Sequence, residues 1–159
     1  MGALSDEMKR VVERQRLGFV ATVCPDGTPN LSPKGTVSVL DDDHLVFADI
    51  RSPGTVANLR ANPSVEVNVV DPFVRKGYRF KGPAVVHEPD TDGFAEGLIH
   101  LESEGFRTSP DRVKAIVVIE VRHAAPLVSP AYDDGARSEA EITAAWREHF
   151  ALQHPPDEE

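Results

Sequence analysis

The chain has 159 residues, of which 40% are hydrophobic and 27% charged, so its composition is that of an ordinary globular protein. Its formal net charge of −9 argues against nucleic acid and against an anionic membrane surface as partners, because both attract basic proteins. We predict a single domain over residues 1–159, with residues 1–4 and 154–159 flexible.

The first predicted elements are a helix and a β-hairpin. Ser5 precedes two acidic residues, which is typical of a helix start, and Gly18 ends the apolar spacing of that helix. Residues 19–23 are apolar and rich in β-branched side chains, which favours a strand. The segment 25–28 has the composition of a turn, so a second strand is expected around Leu31.

A second hairpin and a short helix follow. Residues 36–40 and 44–50 flank three consecutive aspartates, which suit a solvent-exposed turn. Residues 55–60 favour a short helix that ends before Pro63. Apolar and polar residues then alternate over 64–70, which predicts a strand with one buried face.

The second half of the chain is predicted to add two strands and two helices. Residues 78–86 favour a strand that is interrupted near Gly82, and residues 113–121 form the most apolar strand segment. Residues 89–104 favour a helix, and a capping box at 138–141 opens the last one. Hairpin-linked strands with helices between them predict a mainly β fold, an antiparallel β-barrel with peripheral helices.

Several kinds of site and location are not indicated by the sequence. Cys24 is the only cysteine, so no intrachain disulfide can form. The sequence has no apolar leader and no run long enough to span a bilayer, so we expect a cytoplasmic protein without membrane contact. The six histidines are scattered singly, so no metal site is predicted. The common catalytic motifs are absent, and no catalytic residue is assigned.

Basic residues are concentrated in one part of this acidic chain. Residues 30–81 contain seven Lys or Arg against six acids, whereas the remainder has ten against twenty. Arg51 and Thr55 lie at the start of the short helix, where a helix N-terminus, a guanidinium and hydroxyl groups suit a phosphate monoester. The alternative, which the residues alone leave open, is that Ser52 or Thr55 caps the helix and Arg51 is a solvated charge.

The order of the motifs resembles a known family. The segments are A-T-V-C-P-D-G-T-P-N-L-S-P-K-G from Ala21, D-D-x-x-L-V-F-A-D from Asp41, R-S-P-G-T-V-A-N-L-R-A-N-P-S-V from Arg51 and R-K-G-Y-R-F-K-G-P-A-V-V from Arg75. Together they resemble the pyridoxamine 5′-phosphate oxidase-like proteins, which bind FMN on a split β-barrel. The T-x-x-N-L-x-x-N-P pattern that begins at Thr55 is the most specific of them.

The resemblance implies an FMN site at the interface of a homodimer. The residues that it implicates are Ser32, Pro33 and Lys34 on the strand after the first hairpin turn, Asp49, Ile50 and Arg51 along the ring or the ribityl chain, Thr55 at the phosphate, and Lys76 and Arg79 reaching the flavin of the partner subunit. In this arrangement the charge of Lys34 would stabilise the reduced, anionic ring.

The chain also departs from the family pattern in two places. Residues 126–137 lack the Trp, Arg, His and Asp with which the oxidases hold their substrate, and Thr55 stands where they carry a lysine at the phosphate. The resemblance therefore supports the cofactor more than a vitamin B6 substrate. We expect an FMN-dependent oxidoreductase that uses an unidentified small-molecule substrate or electron donor. Two alternatives stay open: a non-catalytic flavin-binding or electron-carrier protein, and an F420-dependent reductase on the same fold.

Overall fold

The computed structural model describes residues 2–107 and 109–154 of the chain. Within these residues the helices are α1 (Asp6–Gln15), α2 (Pro53–Ala61), α3 (Asp92–Ser103) and α4 (Glu139–Gln153), and short 3-10 turns cover Pro110–Arg112 and Pro130–Tyr132. The strands are β1 (Gly18–Val23), β2 (Pro29–Lys34), β3 (Ser38–Val39), β4 (His44–Asp49), β5 (Ser64–Asp71), β6 (Lys76–His87), β7 (Ala115–Glu120) and β8 (His123–Val128). The predicted hairpins and helices are therefore present.

The strands form an antiparallel sheet with the order β2-β1-β5-β6-β7-β4-β3, and β8 adds to the free edge of β6. The sheet curls into a split barrel with helices at its periphery, as the sequence predicted. The two ends of this order, β2 and β3, are not paired with each other in the part of the chain described here. The resulting split between them is where the fold leaves room for a site.

The long strand β6 connects the two halves of the sheet. Residues Lys76–Pro83 pair with β5, and residues Ala84–His87 pair with β7. The change of partner occurs between Pro83 and Ala84. At the neighbouring Gly82 a Cβ atom would overlap the carbonyl oxygen of Glu120. The sequence predicted an interruption here. The strand instead continues and passes from one half of the barrel to the other, and the missing side chain of Gly82 permits the close approach of Glu120.

The barrel interior is filled by the apolar positions of the alternating strands. Val65, Val67 and Val69 all face inward and are buried, and Phe80 lies opposite Val67 on the neighbouring strand. Each side chain of this size contributes about 1.5 to 3 kcal/mol when it is fully buried. Helix α2 packs across β1, β2 and β6 and places Leu59 in the same core. A second apolar cluster lies between α3, β4 and β7.

The beginning of the chain is held more firmly than the sequence suggested. Leu4 is 4% exposed and belongs to the main core, and its backbone N–H donates to the carbonyl oxygen of Asp42 at 2.9 Å. Lys9 pairs with the same aspartate through its side chain. The expected flexibility of residues 1–4 therefore does not fit the packing of Leu4. Met1 and residues 155–159, which the same expectation covered, lie outside the described residues.

The last part of the chain combines a confirmed prediction with a missed one. Ser138 and Glu141 form the reciprocal capping box at the start of α4. Strand β8 was not predicted, because Pro126 interrupts a segment that has no clear alternation. Ile142 is the one residue of α4 that is fully packed away from solvent. No helix in the described part of the chain is long and apolar enough to cross a membrane.

Candidate functional site

The inward face of β2 is polar, whereas the inward faces of the central strands are apolar. Asn30, Ser32 and Lys34 lie opposite Thr22, Val20 and Gly18 of β1, so the alternation of the strand turns all three to the same side. Their side chains reach toward α2 and toward the loop that precedes it. A row of polar side chains inside a barrel requires partners there, because an unpaired buried polar group costs free energy.

Lys34 is the central residue of a polar cleft, which we call the Lys34 cleft. Its other members are Ser32, Asp49 and Ser52. Lys34 is 5% exposed, and its Nζ donates to Ser32 Oγ at 2.7 Å and to Ser52 Oγ. Ser52 in turn donates to Asp49 Oδ1 from its hydroxyl at 2.8 Å and from its backbone N–H at 2.9 Å. This chain of hydrogen bonds joins β2 to the end of β4 across the split. The predicted site residues Ser32, Lys34 and Asp49 are therefore brought together.

The electrostatic state of Lys34 follows from its surroundings. Burial lowers the pKa of Lys34 below its ordinary value, and the charge of the nearby Asp49 acts in the opposite direction. The ring of Phe47 lies 5.7 Å from the Nζ atom and also faces the cation. Of the three N–H donors of the ammonium, the two serine hydroxyls take two. A ligand acceptor could use the third.

A second polar cluster fixes the position of α2. The amide of Asn30 donates to Thr22 Oγ1 at 3.1 Å and to Thr55 Oγ1 at 3.2 Å. The amide of Asn58 donates to the same Thr22 hydroxyl at 3.0 Å. Thr55 is 1% exposed, so its hydroxyl belongs to the interior. This differs from the expected position of Thr55 beside a phosphate, because the phase of α2 turns the side chain toward β1 and β2.

A surface groove adjoins the Lys34 cleft at the start of α2. Its volume is about 390 Å³, and it is lined by Asp49, Ile50, Arg51, Ser52, Pro53, Val56, Arg60, Lys114 and Ala115. Arg60 is engaged by Glu88, whose carboxylate lies 2.6 Å from the guanidinium. Arg51 and Lys114 form no ion pair with any residue that the structure describes. The groove therefore presents two uncompensated cations, and the predicted residues Ile50 and Arg51 lie in it.

Sequence reasoning missed Lys114 and left the role of Ser52 open. Lys114 enters the groove because β7 pairs with β4 in the register that sets Ala115 opposite Asp49, and its backbone N–H donates to the carbonyl oxygen of Asp49. That pairing is distant in sequence, although Lys114 directly precedes the most apolar strand. The side chain of Ser52 makes no capping bond to α2, so the helix-cap alternative does not hold for this residue.

The remaining predicted residues lie elsewhere in the protomer. Pro33 points to the outer side of β2 and is exposed. Lys76 pairs with Glu139 at 2.7 Å, and Arg79 Nε lies 2.7 Å from Glu66 on the outer face of β6. Neither of these two basic residues lines the groove at Arg51. The expectation placed them at the flavin of a partner subunit, which a single protomer does not test.

Comparison with known proteins identifies relatives of this architecture. The family model described as pyridoxamine 5′-phosphate oxidase matches residues 4–125. The crystal structure of HupZ from Group A Streptococcus is 28% identical, covers 79% of this chain and 95% of its own, and superposes with a TM-score of 0.69. No curated protein matches the chain.

Two further solved structures share the fold at lower identity. One is described as an F420 reductase, with 23% identity, a TM-score of 0.59 and coverage of 77% of this chain and 98% of that one. The other is an FMN-binding protein from Syntrophomonas wolfei, with 15% identity, a TM-score of 0.62 and coverage of 77% of this chain and 86% of that one. At these identities the likeness establishes the architecture alone.

Proposed function

Because the chain belongs to the pyridoxamine 5′-phosphate oxidase family, whose model matches residues 4–125, we propose that it is an FMN-binding oxidoreductase. The cofactor would lie across the split of the barrel, with its ring side at the Lys34 cleft and its phosphate in the groove at Arg51. The observation that carries this proposal is the buried ammonium of Lys34. It is a costly feature that a polar, anionic ligand at the split would explain.

The groove at the start of α2 fits the phosphate of FMN. Arg51 and Lys114 supply two cations, and the first turn of α2 supplies backbone N–H groups and the positive end of its dipole. At Gly54 a Cβ atom would meet no other atom within 4 Å, so the approach to these N–H groups is open. The phosphate assignment therefore rests on Arg51, Lys114 and the backbone. Thr55 keeps a positioning role through its bond to Asn30.

The Lys34 cleft fits the uncharged parts of the same cofactor. Ser32, Asp49 and Ser52 offer hydroxyl and carboxylate groups of the kind that ribityl hydroxyls require. When bound, the flavin would supply hydride or electron transfer to a small-molecule substrate or from an electron donor. The ammonium of Lys34 would stabilise negative charge that develops on the ring, and the surrounding protein would exclude water from it.

The outer face of the sheet supports the proposal of a homodimer. Four exposed apolar side chains lie on β1, β2 and β5 with no covering element in the described chain: Phe19 (41% exposed), Leu31 (62% exposed), Val23 and Val70. Contiguous apolar surface of this kind is typical of a protein interface. Arg79 lies on the same face, and in a dimer it would approach the partner subunit.

Sedimentation should give a dimer for the natural chain and a shift toward monomer for Leu31→Glu. A monomeric natural chain at micromolar concentration would overturn the dimer.

A titration tests the cofactor proposal. We expect FMN to bind the natural chain and Lys9→Gln equally well, because Lys9 lies on the surface beside Asp42. Lys34→Gln should bind both FMN and riboflavin at least tenfold more weakly, since the ring and ribityl chain are common to both. Circular dichroism would verify that each variant is folded. Unchanged binding by folded Lys34→Gln would exclude the cleft as the ring site.

A turnover screen separates an enzyme from an electron carrier. Reduced nicotinamide with a panel of acceptors should give flavin-dependent turnover if the protein is an oxidoreductase. Reduction and reoxidation of the bound flavin without any substrate preference would favour the carrier. Mass spectrometry of the released cofactor would distinguish FMN from a deazaflavin such as F420.

A further inference from the structure

A second cavity lies against the part of the chain that follows the family match. Its volume is about 560 Å³. Helix α1 forms one wall and β6 another, and the third is formed by residues after 125, where the family match ends. From its lining we propose that this cavity is a binding site for a small aromatic carboxylate, separate from the cofactor site.

The wall contributed by the C-terminal segment is fixed by specific contacts. The hydroxyl of Tyr132 donates to the carbonyl oxygen of Val74 at 2.6 Å, and Lys76 Nζ lies 4.2 Å from the centre of the Tyr132 ring. Lys76 also pairs with Glu139 at the start of α4, at 2.7 Å. These bonds hold an aromatic side chain at the edge of the cavity. They also cancel the charge of Lys76 with that of Glu139.

The two remaining acidic groups at this cavity, Asp71 and Glu7, accept hydrogen bonds from uncharged partners. Asp71 accepts from Gln15 Nε2 at 3.0 Å and from the backbone N–H groups of Phe73 and Val74. Glu7 faces the hydroxyl of Tyr78, and burial together with this contact raises the pKa of Tyr78. Tyr78 therefore stays neutral, and its single O–H is directed at Glu7.

Two arginines are left without a carboxylate. Arg10 and Arg14 both line the cavity, and neither forms an ion pair among the residues that the structure describes. They lie four residues apart on α1, so their side chains are neighbours on one helix face. Two adjacent guanidinium groups suit a carboxylate, which accepts paired N–H bonds from such groups.

The remaining lining suits a flat apolar body. Val11, Pro126 and Val128 contribute apolar surface, and the rings of Tyr78 and Tyr132 provide aromatic walls. Aromatic rings pack favourably against a planar ligand. The combination of two free guanidinium groups with apolar and aromatic walls selects an aromatic carboxylate over a purely polar anion such as inorganic phosphate.

Calorimetric titration of the natural chain with benzoate tests this proposal, and benzamide serves as the neutral analogue of the same shape. We expect saturable binding of benzoate and at least tenfold weaker binding of benzamide. The double variant R10Q/R14Q should lose at least tenfold in benzoate affinity, and Tyr132→Ala should also bind more weakly. Arg112→Gln, which alters an exposed arginine away from the cavity, should bind benzoate as the natural chain does.

The result of the benzoate titration can be distinguished from the result of the flavin titration. Benzoate affinity should be the same with and without saturating FMN, because the cavity shares no lining residue with the groove at Arg51 of the same protomer. Displacement of benzoate by FMN would place the carboxylate in the cofactor groove and overturn the proposal. Equal affinity for benzamide, or full affinity in folded R10Q/R14Q, would do the same, as would the absence of saturable binding.

Discussion

Two lysines in different surroundings, Lys34 and Lys76, show how position decides what a charged side chain does. Lys34 is buried in the polar cleft, and its burial lowers its pKa. Lys76 lies at the edge of the second cavity, and its hydrogen bond to Glu139 raises its pKa. The first residue depends on partners that the fold brings from several elements. The second is a solvent-accessible pair, whose contribution to stability is expected to be small.

Removal of each lysine should reveal the largest difference between the two regions, in the stability that the protein loses. Lys34→Ala leaves Asp49 and two serine hydroxyls without their cation, so we expect a loss of about 3 kcal/mol in the free energy of unfolding. Lys76→Ala should cost at most about 1 kcal/mol, because its partner Glu139 can be solvated. Urea unfolding of both variants provides the measurement. Equal losses would contradict the assignment of Lys34 as the buried centre of the cleft.

The phosphate groove should show the next largest effect. A charge-assisted hydrogen bond contributes about 1.5 to 3 kcal/mol, so Arg51→Gln should weaken FMN binding by roughly one to two orders of magnitude. Lys114→Gln should act in the same direction. Riboflavin lacks the phosphate, and its affinity should barely change in either variant. A parallel loss of riboflavin binding would show that these residues act on the ring side or on folding instead.

Thr55→Ala is predicted to behave differently from Arg51→Gln. Its hydroxyl is buried against Asn30, so its removal should destabilise the protein by about 1 kcal/mol. The resulting displacement of α2 should weaken FMN and riboflavin to a similar degree. If Thr55→Ala weakened the binding of FMN but not of riboflavin, Thr55 would lie beside the phosphate, as the family resemblance implies.

The opposite pKa shifts predict opposite pH dependences, of smaller size. The pKa of Lys34 is lower in the folded chain than in the unfolded chain, so the unfolded chain holds more protons at alkaline pH below about 10.5. The contribution of Lys34 to stability should therefore rise with pH in that range. The contribution of Lys76, whose pKa is raised, should be complete below its unfolded value and fall as pH rises through the folded one. The free energy of unfolding of each alanine variant and of the natural chain should be compared from pH 8 to 11, because the difference isolates the contribution of that lysine. Contributions of Lys34 and Lys76 that change with pH in the same direction would contradict this prediction.

Local patterns were sufficient to predict most of the fold. The alternation of Val65, Val67 and Val69 predicted their burial, and the capping box at Ser138 predicted the start of α4. These signals work because each depends on residues that are close in sequence. Strand β8 was missed because it is defined by its pairing with β6, which is distant in sequence, and because Pro126 disfavours a strand locally.

The candidate site was less accessible to sequence reasoning because it depends on long-range contacts. Ser32, Lys34 and Asp49, which the resemblance assigned to one site, lie close together in the structure. Lys114 enters the groove through a strand pairing across the barrel, which no local pattern reveals. The direction of the Thr55 side chain depends on the phase of a short helix.

The central claim is that the split of this barrel holds a flavin. Its most direct test is the absorbance spectrum and cofactor content of the purified protein, before and after incubation with FMN. We predict flavin absorption bands, about one flavin per chain, and FMN as the species released on denaturation. A folded protein that releases no flavin and shows no tight binding of FMN, FAD or F420 on titration would contradict the account.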